Sequence, residues 1–385
     1  MTKIQTILTE LSTTANNPRA SVEAFKQKTN RAAIGCAPEY CPEEIVYAAG
    51  MLPVGLWGGK TSISKAASFF PSFACSLVQS TFELGLRGVY DQLSGVIIPS
   101  LCDHLKCFGQ DWKVGIPNIR LLAFAHPYHR RLEAGIAYLA SEYAHIKKGL
   151  EEIGGAAISD EDLNHAIAVY NNHRQVMRVF TQAAKDYPVT ISPRIRHAVM
   201  KSGYFMDKAD HAKLVMELTN ELKSQPAENW NGKKIVLSGI MAEPEELLDL
   251  FAEYKLAVVA DDLAQESRQF RVDVPEGSDP LERLARRWSL MDGCSLLYDP
   301  HKERRFLLKN LVQENGADGI VICMMKFCEM EEFDYPIYLK TIEEAGIPLL
   351  NLEIDLLSLS LEQARTRIQS FAEMLNLGVQ RKGGV

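Results

Sequence analysis

Cysteine is the residue type in this chain with the widest chemical range, and it occurs at positions 36, 41, 75, 102, 107, 294, 323 and 328. In a long cytosolic chain these are expected to be reduced thiols. Each is then a small apolar core residue, a metal ligand or a nucleophile. Spacing separates the metals. Zinc sites of the usual kind carry tightly paired cysteines, often with histidine. No C-x-x-C is present, and the close pairs 36/41, 102/107 and 323/328 each have four residues between them. No ferredoxin-like run occurs either. What remains is dispersed single thiolates, soft ligands that suit an iron–sulfur cluster wide enough to bridge two parts of a chain.

Positioning such thiols requires strand ends. Short apolar runs predict strands over 32–35, 51–56, 95–99 and 119–124, with helices beginning at Pro42 and spanning 75–86. Proline at a helix start and Glu43 and Glu44 in its first turn favour the first of these. Residues 130–225 read as helical, with Ser159 and Asp162 as a capping signal and Leu163, Ile167, Tyr170, Met177 and Phe180 as a core stripe. Residues 226–232 (PAENWNG) read as a linker. Strands then return over 234–237, 256–260, 319–324 and 348–354, with a helix over 244–254. Alternating strands and helices predict an α/β fold with two Rossmann-like lobes, each built on a parallel sheet, plus a helical segment between them. The expected divisions are 1–150, 151–230 and 231–385. DQLSGVIIPSLC (91–102) and DGIVICMMKFC (318–328) echo one another, which supports two similarly built lobes.

Ligands of open parallel sheets bind beyond the carboxyl ends of the strands. Cys102 and Cys328 each follow such a strand, one per lobe, and are either buried free thiols or ligands. Cys75 lies where a helix begins, a place that stabilises a thiolate, although Phe73, Cys75 and Leu77 read equally as plain core, which the pattern alone favours. Cys323 and Cys294 read as buried structural thiols. Cys36 and Cys41 are neighbours of a site and not preferred ligands, and Cys107 stays open. Asp103 and His104 beside Cys102, and Glu329, Glu331 and Glu332 beside Cys328, read as solvated acidic helix starts.

Other chemistries fail on spacing. Gly59-Lys60-Thr61 lacks the earlier glycine of a phosphate loop, because position 54 is valine. Ser238-Gly239 does not continue into a dinucleotide fingerprint, and no G-x-S-x-G elbow occurs. Asp261 and Asp262 are expected to cap a helix in preference to holding a ribose. A net charge of −7 and a pI near 5.8 leave no basic surplus for nucleic acid. No stretch of about 18 apolar residues suggests a membrane span, and residues 1–20 lack a signal peptide's apolar core, so a cytoplasmic chain is expected.

Five stretches carry a resemblance: IGCAPEYCPEEIVYAAGMLPVGLWG (34–58), FACSLVQSTFE (73–83), VIIPSLCDHLK (96–106), ADDLAQESRQFRV (260–272) and CMMKFCEMEEFDYP (323–336). Together they resemble the β subunit of 2-hydroxyacyl-CoA dehydratases, nearly end to end. The likeness is strong toward subunits acting on 2-hydroxyisocaproyl-, lactyl- or phenyllactyl-CoA and extends to the 2-hydroxyglutaryl-CoA enzyme. Benzoyl-CoA reductase subunits belong to the same wider family. The resemblance implies a 4Fe–4S cluster held by Cys75, Cys102 and Cys328, with a non-protein group on the fourth iron, and so favours a ligand role for Cys75. Met330 departs from the family pattern, which usually has proline there.

The resemblance also implies a hydro-lyase converting an (R)-2-hydroxyacyl-CoA to a 2-enoyl-CoA in anaerobic amino-acid or lactate fermentation. The hydrogen on carbon 3 is not acidic, so a positioned base alone cannot remove it. The family injects one electron into the thioester to form a ketyl radical, and the cofactor carries that step. Implied partners are a homologous α subunit, which carries the substrate chemistry, and an ATP-dependent iron–sulfur activator. This chain is expected to relay or store the electron. The alternatives are a subunit of a benzoyl-CoA-type reductase, a non-catalytic iron–sulfur carrier and, more distantly, a zinc-binding structural protein.

Overall fold

The computed structural model describes residues 2–358 and 360–378; the last stretch of the expected third division, 379–385, lies outside them. The first lobe holds β1 (Ala33–Cys36), β2 (Leu52–Gly55), β3 (Gly95–Ser100) and β4 (Arg120–Ala125), and the second holds β5 (Lys233–Gly239), β6 (Leu256–Leu263), β7 (Gly319–Met325) and β8 (Leu349–Ile354). All eight fall on the apolar runs of the sequence. Each sheet is wholly parallel, in the orders β2-β1-β3-β4 and β6-β5-β7-β8. Numbered within its own lobe, each order is 2-1-3-4. The second lobe therefore repeats the first, and the two α/β lobes are as the sequence predicts.

Parallel strands are covered on both faces, which is why β7 reads Gly-Ile-Val-Ile-Cys-Met-Met without polar alternation and is buried throughout. In both lobes the order reverses between the first and third strands, β1/β3 and β5/β7. The crevice beyond the carboxyl ends of these strands is the expected ligand position.

Helices α1 (Lys3–Asn16), α2 (Pro18–Thr29), α3 (Glu43–Ala48), α4 (Ser76–Leu86) and α5 (Asp103–Gly115) belong to the first part of the chain. The helical segment is α6 (Glu133–Gly154), α7 (Asp160–Ala184), α8 (Pro193–Ser202) and α9 (Lys208–Lys223). The second lobe adds α10 (Glu245–Glu253), α11 (Pro280–Ser289), α12 (Arg304–Asn315), α13 (Glu329–Glu344) and α14 (Glu362–Asn376). Ser159 and Asp162 form the capping box foreseen for α7. The opening helix α1 packs on α8 and α9, so Ile7 and Leu11 join the core of the helical segment with Phe180 and Val215.

Residues 226–232 are irregular but pinned. The Glu228 carboxylate accepts from the amides of Val189 (2.6 Å) and Thr190 (3.1 Å) and from the Thr190 hydroxyl (2.5 Å). A single large core then runs through residues of both lobes, from Ile34 and Val96 to Val321 and Leu352. No helix among the described residues is long and apolar enough to cross a membrane.

At the end of β5, Gly239 has φ +135°, and a Cβ there would lie 2.2 Å from the carbonyl oxygen of Cys323 on β7. Backbone cannot give way as a side chain can. Gly239→Ala is expected to lower the unfolding free energy by about 2 kcal/mol or more, read by urea titration; an unchanged midpoint would contradict the close strand approach.

Candidate functional site

Three cysteines occupy the same structural position. Cys75 is the N-cap of α4, Cys102 of α5 and Cys328 of α13. Cys102 and Cys328 follow β3 and β7, the third strand of each lobe, so they are counterparts in the repeat. Cys75 is buried, and the other two are half-buried.

The backbone amides of the first helical turn lower each thiol, Leu77 and Val78 at Cys75, His104 and Leu105 at Cys102 and Glu331 at Cys328, although none makes a capping hydrogen bond to the sulfur. Such amides favour a thiolate. Burial works the other way and dominates. It pushes the Cys75 thiol up to about 12, raises Cys102 and raises Cys328 furthest above the ordinary thiol range. The sulfurs also feel one another: charge on Cys102 raises Cys75, and charge on Cys75 or Cys102 raises Cys328. Glu329 of the second lobe likewise acts on Cys102 of the first. The fold therefore brings the three predicted residues into one electrostatic neighbourhood across the two lobes.

Two features hold this neighbourhood shut. Ser76, beside Cys75, donates to Met325 Sδ at the end of β7 (3.2 Å) and accepts from the amide of Leu356 (3.1 Å), a buried latch between lobes. Phe327 adopts φ +62°, an uncommon conformation for a bulky residue, as the chain turns from β7 to place Cys328. Phe73 and Phe327 are exposed near Cys75 and Cys328.

Behind Cys328 lies an ion network that the sequence reading missed. Glu331 is fully buried, not solvated as expected; Glu329 and Glu332 are exposed. Glu331 Oε1 accepts from Ser295 (2.5 Å) and Arg268 (3.3 Å), while Arg304 Nη1 stands 2.8 Å from Oε2 in ionic contact without hydrogen-bond alignment. Asp262 does not cap a helix. It receives Arg268 (3.1 Å), Arg304 (2.9 Å) and Arg271 (2.7 Å). Asp261 does not cap a helix either: it accepts from the amides of Leu263 (3.0 Å) and Ser267 (2.9 Å) in the turn after β6 and pairs with the buried Arg196. Burial opposes ionisation of Asp262 and Glu331, yet the arginines hold both below the usual carboxylate range.

The other thiols sort plainly. Cys323 and Cys294 are buried, and Cys294 Sγ lies 3.5 Å from Arg268 Nη1. Cys36 and Cys41 are free thiols: Cys36 donates to the Ile34 carbonyl (3.8 Å), and Cys41 to the carbonyls of Ala37 (3.1 Å) and Ile97 (3.4 Å). Cys107 is exposed.

Three desolvated thiols that repel one another when ionised are a poor resting state but a good donor set for a soft, positively charged group, which binds them as thiolates. No three His, Cys, Asp or Glu side chains among the described residues are grouped as one metal ion requires. Three cysteine sulfurs with no histidine among them are the donor type of an iron–sulfur group.

The family model described as 2-hydroxyglutaryl-CoA dehydratase, D-component, matches residues 38–375. The chain belongs to that family. It is 48% identical over 378 residues to the lactoyl-CoA dehydratase subunit beta of Anaerotignum propionicum, covering 97% of this chain and all of that one. It is 45% identical over 359 residues to the (R)-phenyllactyl-CoA dehydratase beta subunit of Clostridium sporogenes, covering 93% and 96%. With the (R)-2-hydroxyglutaryl-CoA dehydratase subunit beta of Acidaminococcus fermentans, identity is 37% over 379 residues, covering 97% and 100%.

Within this family member the ion network has a measurable weight. Glu331→Ala leaves Arg268, Arg271 and Arg304 sharing Asp262 alone in a dry interior and is expected to cost about 3 kcal/mol of unfolding free energy. A loss under about 1 kcal/mol in denaturant titration would mean the network carries little.

Proposed function

We propose that this chain is the β subunit of a 2-hydroxyacyl-CoA dehydratase, a hydro-lyase that works with a homologous α subunit in an anaerobic cytoplasm. In this reading Cys75, Cys102 and Cys328 hold one 4Fe–4S cluster, and the chain relays or stores a single electron for dehydration. An ATP-dependent iron–sulfur activator delivers that electron. The substrate is an (R)-2-hydroxyacyl-CoA and the product a 2-enoyl-CoA.

The observation that carries the reading is the common placement of the three cysteines, each capping a helix, drawn from two lobes into one neighbourhood. The β-subunit relatives, matched along nearly their whole length, support the reaction class. When bound, such a cluster supplies one-electron chemistry that no side chain offers. The protein's own part is to bind, orient and keep dry. Helix-start amides favour the thiolate form, the Ser76 latch keeps the lobes together, and the buried arginines fix the start of α13.

Anaerobic co-purification with the α subunit, followed by iron and sulfide assay, tests the ligand set. Cys75→Ala, Cys102→Ala and Cys328→Ala are each expected to lose most of this chain's iron. With activator, ATP and a panel of 2-hydroxyacyl-CoA esters, each should form enoyl-CoA on the order of 100-fold more slowly or worse. Cys107→Ser, on the surface, should match the parent protein. Full iron and full turnover in Cys328→Ala would refute the assignment.

A further inference from the structure

Glu39 follows β1 into the crevice where the first lobe's strand order reverses. It is 2% exposed, and neither carboxylate oxygen has a partner. Glu39, Tyr40, His126 and Trp288 supply six of the fourteen unpartnered buried side-chain N and O atoms among the described residues. Buried polar groups are otherwise almost always paired, so this concentration marks one special place. Tyr40 meets the edge of His126 with centroids 6.4 Å apart, and His126 stacks on Trp288 at 5.4 Å.

Charge around Glu39 is uneven. Arg268 and Arg271, from the segment after β6, favour its ionisation; Glu331 of α13 and Asp262 of β6 oppose it. Arg268, Arg271 and Arg304 face two carboxylates, Asp262 and Glu331, which leaves one positive charge in surplus. An ionised Glu39 cancels that surplus, and a protonated one restores it.

Resting on the reading of the three thiols as a cluster site, we propose that Glu39 is a proton-exchanging residue that takes up a proton when negative charge is added there. Glu331 provides the connection: its amide donates to the Cys328 carbonyl (3.0 Å), its carboxylate accepts from Arg268 (3.3 Å), and both Arg268 and Glu331 act on Glu39. Burial carries Glu39 up to about 7, against the pull of Arg268 and Arg271. Its titratable neighbours stay neutral near that pH. Burial lowers His126 to about 3, raises Cys294 to about 11 and raises Tyr40 far above the ordinary phenol range. The balance is one electron from a low-potential one-electron reductant and one proton from water. The electron goes to the group held by the three thiols, the carboxylate gains an O–H bond, and the donating water loses one, its hydroxide passing to the buffer.

The test is a potentiometric titration of the anaerobic α/β complex from pH 6 to 8.5, followed by electron paramagnetic resonance, with parent protein and Glu39→Gln. The parent midpoint of this chain's cluster should fall with rising pH near neutrality. The limiting slope is a tenfold change in equilibrium constant per pH unit, about 59 mV for one electron. Glu39→Gln should be flat. A pH-independent parent, or an equal slope in the variant, overturns the proposal.

Thermal unfolding of the iron-free full chain gives a second readout. The folded value lies above the ordinary 4.5, so its stabilisation is complete below pH 4.5 and is lost as pH rises through 7. The parent melting temperature should therefore fall relative to Glu39→Gln as pH rises from 4.5 to about 7, and the difference should level off above that. A constant difference removes Glu39 as the titrating group. A parent complex without iron and sulfide rejects the cluster reading itself, and this proposal with it.

Discussion

Three thiols from two lobes cannot share a dry crevice as thiolates without a counter-charge. This constraint organises the molecule. Burial drives Cys75, Cys102 and Cys328 toward the neutral form, mutual repulsion drives them further, and only the helix-start amides pull back. In the proposed reading a positively charged group that binds sulfur would resolve the conflict, because metal binding and thiol deprotonation are one linked event.

The scaffold is built to impose that constraint. Repeating one strand order in both lobes places Cys102 and Cys328 at equivalent strand ends, and Cys75 comes in on α4, whose first residue latches onto the second lobe. The buried arginine–carboxylate network stands immediately behind Cys328 and fixes the first turn of α13. Replacing such a network by apolar side chains is often neutral or stabilising in other proteins, so stability alone does not explain it. In the proposed reading its charge, bordering the three thiols, would help set the potential there.

Much of the fold was legible because the parallel strands are short unbroken apolar runs bounded by turn signals. The repeat was visible in the glycine, β-branched run and following cysteine shared by 91–102 and 318–328. Cys102 and Cys328 were legible as strand-end residues, but Cys75 was not. Its surroundings, Phe73 and Leu77, look like ordinary core, and only the family resemblance promoted it. The ion network escaped because acids at a helix start are normally solvated. Nothing local distinguishes Glu331 from Glu332; Arg268 and Arg304, distant in sequence, decide which one is buried. Asp261 and Asp262 illustrate the same limit. Adjacent strand residues face opposite ways, so one caps a turn and the other gathers three arginines.

The most direct measurement is an anomalous difference map at the iron absorption edge, from anaerobically grown crystals of the chain with its α subunit. The account predicts one strong peak in this chain, lying among the sulfurs of residues 75, 102 and 328. Absence of a peak there, or iron held by a different set of cysteines, would contradict it.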